Sequence, residues 1–216
     1  TYNPFSGVSV FPRFRDFTEE QAFSRLRELC HAGISRRYGS APRPEVFSRL
    51  SSELSIISAK GFAGYFLVVH DIVSRFPRTC GRGSSAASIV SYLLGITHVE
   101  PLSSDLFFER FLNLGRKDPP DIDVDFPWDE RRAALEYVFS AYPGASAMVA
   151  DHVTFGPRSC MREAAKALGF PDPETDRYVR LYRRGDHPPI PAALLKAPRL
   201  PRGIPRHIGP IPGGVV

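Results

Sequence analysis

Apolar and polar positions along the chain alternate first with helical and then with strand periods. Phe23, Leu26, Leu29, Cys30 and Ile34 recur at helical spacing behind Thr18 and Gln21, which form a capping-box pair, and Gly39 closes that segment. Pro44 suits the first turn of a second helix, which Val46, Phe47, Leu50, Leu54 and Ile57 carry to Gly61. Tyr65 to Val73 is apolar nearly all round, which predicts a buried helix stopped by Pro77. A short strand is expected over Arg78 to Cys80, then the turn Gly81-Arg82-Gly83-Ser84-Ser85, then a helix from Ser85 to Leu94 ended by Gly95. Asp121-Ile122-Asp123-Val124-Asp125-Phe126 alternates strictly and predicts a strand. A helix over Arg131 to Tyr142, a short strand over Val149 to Phe155 and a helix over Arg158 to Leu168 come next. Thr1 to Asp16 has no helical period and reads as an extended lead-in, with Arg36, Arg37 and Lys60 as solvated helix ends. From Pro171 onward proline and arginine dominate, and the tail reads as weakly structured connections.

Composition narrows the class. At 216 residues the chain fits one or two domains, and 43% hydrophobic with 24% charged residues is ordinary for a soluble protein. No signal-peptide pattern opens the sequence and no apolar run reaches the length of a membrane span, so no membrane partner is expected. The three cysteines, Cys30, Cys80 and Cys160, are far apart and odd in number. They make neither a zinc pattern nor a disulfide framework; they read as small apolar residues in a reducing cytoplasm. The net charge of +5 is unevenly spread: from Gly156 to Val216 eleven Lys and Arg face five Asp and Glu, a net of +6. That basic end suits a polyanion partner, or else a solvated basic tail.

The acidic strand is the strongest chemical signal. In an extended chain residues i and i+2 point to one face, about 6.5–7 Å apart. Asp121, Asp123 and Asp125 therefore share a face, opposite Ile122, Val124 and Phe126. Clustered carboxylates repel one another unless a cation joins them, and hard oxygen ligands favour Mg²⁺. Such a strand suits a pair of ions roughly 3.5–4 Å apart, the arrangement used for in-line phosphoryl displacement. A calcium loop is excluded, since Phe126 and Arg132 stand where its glycine and final acid belong. A solvated acidic edge strand remains the competing reading. In the turn, Gly81 and Gly83 leave room for N–H groups of residues Gly81 to Ser85 to approach phosphate oxygens at a helix start, although a plain turn has the same composition. Arg158, Arg162 and Lys166, at i, i+4 and i+8, line one helix face that suits DNA or triphosphate phosphates, or else simply solvent.

These residues carry a family resemblance. Gly61-Phe62-Ala63-Gly64-Tyr65-Phe66-Leu67-Val68-Val69, Gly81-Arg82-Gly83-Ser84 with Leu94-Gly95-Ile96-Thr97, and Phe108-Glu109-Arg110-Phe111-Leu112-Asn113 resemble segments of the bacterial C-family DNA polymerases, the polymerase III alpha subunits. Pro120 to Phe126 is similar to that family's PDxDxDF hallmark, and Thr154-Phe155-Gly156 and Gly213-Gly214-Val215-Val216 continue the match. Arg78-Thr79-Cys80-Gly81 and Asp118-Pro119-Pro120 look more like the accessory, error-prone members.

The resemblance implies an α/β fold: a polymerase beta-like nucleotidyltransferase palm, a mixed sheet with flanking helices, plus a partial helical thumb. It implies a palm with a helical lead-in over residues 1–152, a thumb-like basic segment over 153–205 and the start of a returning palm strand over 206–216. The implied activity is template-directed DNA synthesis on a primer 3′ end with two Mg²⁺ ions. Asp121 and Asp123 are then catalytic metal ligands supported by Asp125, the turn Gly81, Arg82, Gly83, Ser84 and Ser85 binds the triphosphate, and Arg158, Arg162 and Lys166 contact DNA or phosphate. Implied partners are primer–template DNA, deoxynucleoside triphosphates and, through regions outside this sequence, a sliding clamp or other replisome and repair proteins. The family's PHP domain and fingers are not expected within these residues, its third catalytic aspartate is expected beyond Val216, and Ile211 stands where a histidine is usual. The chain therefore reads as a fragment, inactive by itself. A template-independent nucleotidyltransferase would lack the Gly61–Val69 and Phe108–Asn113 segments, and a degenerate, non-catalytic nucleic-acid-binding module is the other alternative.

Overall fold

Thr18 starts the first helix as its spacing predicts: its hydroxyl accepts the Gln21 N–H, and the Gln21 side chain returns the bond to the Thr18 N–H at 2.9 Å. The structure is a computed structural model and describes residues 12–115, 120–184, 190–196 and 203–216. The chain divides into two units, Thr1–Ser146 and Ala147–Val216.

In the first unit α1 (Glu19–Tyr38), α2 (Pro44–Lys60) and α3 (Ala63–Arg75) bury their apolar stripes together. Leu26, Cys30, Leu50, Ile57, Phe66 and Leu67 meet there with Leu93, Phe108 and Phe111. Gly61 ends α2 in a left-handed conformation (φ 69°) and turns the chain sharply into α3, whose run of buried residues matches its all-round apolar pattern. The expected Ser85–Leu94 helix is two pieces, a 3-10 turn over Gly83–Ala87 and α4 (Ile89–Leu94). Farther along come the acidic strand β2 (Asp123–Asp125) and α5 (Arg131–Ala141). Asp71 on α3 accepts hydrogen bonds from the Tyr137 and Tyr142 hydroxyls and so holds α5.

Arg36, although exposed, and half-buried Arg37 do more than end α1 in solvent. Arg36 donates to the Leu93 carbonyl at 2.8 Å, Arg37 to the Tyr92 carbonyl at 3.1 Å, and His70 Nδ1 lies 2.9 Å from the Leu94 carbonyl. The last carbonyls of a helix lack internal donors, so these side chains satisfy the end of α4, and the two guanidinium groups also favour its negative partial charge.

In the second unit β3 (Met148–Thr154) pairs antiparallel with β4 (Pro205–Val215), from Met148 opposite Val215 to Thr154 opposite Pro205. The strand expected to close the palm and the strand expected to return to it thus pair with each other. α6 (Pro157–Ala167) forms as expected, and the described part of the proline-rich tail after it is more ordered than its composition suggests: α7 (Asp172–Arg184) and α8 (Ala192–Lys196) join α6 in enclosing Met161, Ala165, Val179, Ile190 and Leu194. Apolar residues at helical spacing override the described prolines, which fall at helix starts and in a two-stranded ribbon where a missing N–H costs little. Pro188, Pro189, Pro198 and Pro201 lie outside the described residues, as do Asp118, Pro119 and most of the expected extended lead-in. The fold is mixed α/β, mainly helical, and the strands among the described residues form two separate antiparallel pairs rather than one mixed sheet. Among those residues no single helix is long and apolar enough to cross a membrane.

Candidate active site

A three-residue ladder joins the two strongest sequence signals. The strand β1 (Cys80–Arg82) pairs antiparallel with β2, placing Cys80 opposite Asp125, Gly81 opposite Val124 and Arg82 opposite Asp123. Opposed residues share a face. Gly81 is buried and Val124 half-buried on the core side, while Cys80, Arg82, Asp123 and Asp125 are exposed on the other. Gly81 donates its N–H to the Ile96 carbonyl at 2.8 Å, so close that an added Cβ would stand 2.5 Å from that oxygen. No other residue fits there. Gly83, the first residue of the 3-10 turn, has φ +67°, and its absent Cβ would lie 3.4 Å from Asp123 Oδ2. The turn and the acidic strand therefore lie side by side.

Of the five residues expected to form the turn, Gly81 and Arg82 belong to the strand β1 instead, because they pair with Val124 and Asp123, and the other three divide by environment. Gly83 and Ser84 are exposed, whereas Ser85 is fully buried and spends its hydroxyl on the Arg82 carbonyl at 2.8 Å. Arg82 forms an ion pair with Asp125 at 2.7 Å. Asp121, Asp123 and Asp125 are all exposed and alternate with half-buried Ile122, Val124 and Phe126, as the period-two pattern predicts. Asp121 and Asp123 form no ion pair among the described residues, where no group of three or more His, Cys, Asp or Glu side chains is placed to hold a metal alone. One or two carboxylates, with waters and substrate phosphates completing the shell, is the usual protein contribution to Mg²⁺, so this pair fits that ion.

Behind the turn lies a buried ion pair that the sequence reading missed. Glu53 on α2 is 0% exposed. Its Oε1 accepts from Arg49 Nε (2.7 Å) and the Ile89 N–H (3.0 Å), and its Oε2 from the Ser88 hydroxyl (2.7 Å) and the Val90 N–H (3.3 Å). Burial pushes the Glu53 carboxyl upward, against the pull of these donors. Arg49 also donates to the Ala87 and Leu106 carbonyls, at 3.0 and 2.9 Å. The pair thus anchors the far end of the 3-10 turn and the first turn of α4. A signal was present: Glu53 interrupts the apolar stripe Val46, Leu50, Leu54 and Ile57 at a position facing the core.

Tyr65 on α3 was also missed as an individual residue. Its hydroxyl accepts the Ile122 N–H at 3.0 Å, between Asp121 and Asp123. Burial raises its pKa, and the nearby charges of Asp121 and Asp123 add to that.

The basic face of α6 belongs to the second unit. Arg158 and Lys166 are exposed, but Arg162 is paired with Asp176 of α7 at 2.7 Å. Of the cysteines, Cys30 and Cys160 are buried and Cys80 is exposed; burial pushes the Cys30 thiol up to about 12.

Residues 24–200 match the family described as bacterial DNA polymerase III alpha NTPase domain. The protein named error-prone DNA polymerase in Nocardia farcinica is 42% identical over 205 residues, covering 89% of this chain and 18% of that protein. Its namesake in Cutibacterium acnes is 42% identical over 226 residues (96% and 20%), and that of Pseudomonas syringae is 40% identical over 215 (89% and 21%). The chain spans about a fifth of the length of these curated relatives. Matching over most of its length, with the acidic strand and the glycine–serine turn inside the matched span, the chain belongs to the bacterial DNA polymerase III alpha family.

Proposed function

We propose that this chain carries the metal- and nucleotide-phosphate-binding part of a template-directed DNA polymerase with a polymerase beta-like palm, adding deoxynucleotides to a primer 3′ end. The observation that carries the proposal is the β1–β2 ladder, which sets the exposed turn Gly83–Ser84 against exposed Asp123. A polymerase must hold the triphosphate and its metals on one substrate, and this ladder fixes the two groups side by side. Asp121 and Asp123 hold Mg²⁺, which when bound supplies the Lewis acidity that activates the 3′ hydroxyl and stabilises the departing pyrophosphate. The N–H groups of Gly83 and Ser84 orient the phosphates, and Arg82 and Asp125, paired with each other, brace the strand edge.

Primer–template DNA and deoxynucleoside triphosphates are the proposed substrates and the bacterial cytoplasm the proposed location. In the second unit Arg158 and Lys166 are proposed to grip phosphate, with Arg162 held back by Asp176. Protein partners such as a sliding clamp are assigned to the parts of the longer relatives that this chain does not span. In the full-length polymerase carrying this segment, Asp121→Asn or Asp123→Asn should lower single-nucleotide incorporation at least ~10²-fold while leaving the far-ultraviolet circular dichroism spectrum unchanged. Near-normal incorporation by both variants would remove the metal assignment.

A further inference from the structure

We infer that Tyr65 is a positioning residue for the acidic pair, its hydroxyl fixing the peptide that joins Asp121 to Ile122. The inference rests on the metal reading of Asp121 and Asp123.

The ladder is short. Its last pair is Arg82 with Asp123, so Asp121 lies beyond backbone pairing, two residues before the ladder begins. Beside buried Pro120, two described ties hold Ile122. The Ile122 side chain packs against the core of the first unit, and the Ile122 N–H donates to Tyr65 Oη at 3.0 Å. The ties do different things. Packing of Ile122 fixes where the chain runs; the hydrogen bond fixes the rotation of the peptide plane, and with it the direction in which the Asp121 side chain leaves the backbone. A site that shares cations between two carboxylates depends on that direction, because paired ions sit only ~3.5–4 Å apart.

Tyr65 is suited to the task. It sits in the first turn of α3, whose buried residues Phe66, Leu67 and Val69 lock the helix into the core, and its own ring packs at the edge of that core. A phenylalanine would fill the same space. What the hydroxyl adds is the acceptor for Ile122.

The test uses Tyr65→Phe in the 216-residue chain, with Mn²⁺ alone as probe, read by the electron paramagnetic resonance signal of the free ion. Tyr142→Phe is the control: it removes a hydroxyl bonded to Asp71 at 2.9 Å and to no residue of the acidic strand. Loss of one hydrogen bond predicts Mn²⁺ affinity roughly 2- to 10-fold weaker in Tyr65→Phe and unchanged in Tyr142→Phe. Amide hydrogen exchange of Ile122 should accelerate in Tyr65→Phe alone. In the full-length polymerase the Mg²⁺ concentration for half-maximal incorporation should rise by the same factor, with the rate recovered at saturating Mg²⁺. If Asp121→Asn and Asp123→Asn lose Mn²⁺ while Tyr65→Phe keeps wild-type affinity or unchanged Ile122 exchange, the Tyr65 inference fails and the metal reading stands. If the wild-type chain binds no Mn²⁺, or both asparagine variants bind it as well as wild type, the metal reading fails and Tyr65 with it.

Discussion

His70 sits half-buried on α3 against the C-terminal end of α4, its Nδ1 2.9 Å from the Leu94 carbonyl. Burial is the main cause of a lowered pKa, with Arg36 adding to it, so the folded protein keeps this imidazole neutral further into acid than an unfolded chain would. Above the ordinary value of ~6.5 both states are neutral and the favourable contribution is fully present. As the pH falls below that value the unfolded state takes up the proton first, and the contribution is progressively lost down to the folded-state pKa. The melting-temperature advantage of wild type over His70→Gln should therefore shrink between about pH 7.5 and pH 5; an advantage constant across that range would contradict this. Legibility at this scale follows locality. Asp121 and Asp123 could be picked out because alternation puts them on one face whatever surrounds them. Tyr65, Arg36 and Arg37 could not, because their roles are defined by carbonyls and amides that are 50 or more residues away in the chain.

Helices α1 and α2 follow their sequence pattern because each carries a local start, stripe and stop, from the Thr18 capping box to the left-handed Gly61, and α3 follows its own because its apolar run is long enough to be buried as a helix. The α4 region does not, since six residues make a helix too short to hold itself. Its own caps, Ser88 at the start and left-handed Gly95 at the end, are supplemented from elsewhere in the chain by Glu53 at the start and by Arg36, Arg37 and His70 at the finish. The Glu53 carboxylate captures the Ile89 and Val90 N–H groups, which explains why the expected continuous helix breaks at Ser88. Arg49→Met would leave that carboxylate buried without its cation, and losing one partner of a buried pair costs roughly 3–5 kcal/mol. Glu53→Gln would set an amide NH₂ against donors now facing carboxylate oxygen, at about 1–3 kcal/mol. Chemical denaturation should show both losses. Stability changes under ~0.5 kcal/mol in both variants would mean that the pair does not organise the turn.

For the whole molecule, the two units differ in how well each supports itself. The first encloses a core drawn from four helices and the Phe108–Leu112 segment, while the second buries chiefly Met161, Ala165, Val179, Ile190 and Leu194. Small domains bury a smaller fraction of their surface and are correspondingly marginal. The boundary between Ser146 and Ala147 severs neither strand pair, since β1–β2 lies wholly before it and β3–β4 wholly after it. Sequence pattern did not show this, because strand partners at residues 148–154 and 205–215 are chosen by chain closure over a long segment and not by local period. A chain ending at Ser146 should therefore unfold cooperatively, with a midpoint within a few degrees of the intact chain's main transition. A chain of residues 147–216 should unfold broadly and at lower temperature. Removing residues 203–216 should be harsher on the second unit than their exposure suggests, because it leaves β3 an unpaired edge and takes away the Arg206–Glu163 contact at 3.1 Å. Differential scanning calorimetry of the intact and divided chains tests this. A single transition in the intact chain, together with an unfolded 1–146, would show that the units fold only as one.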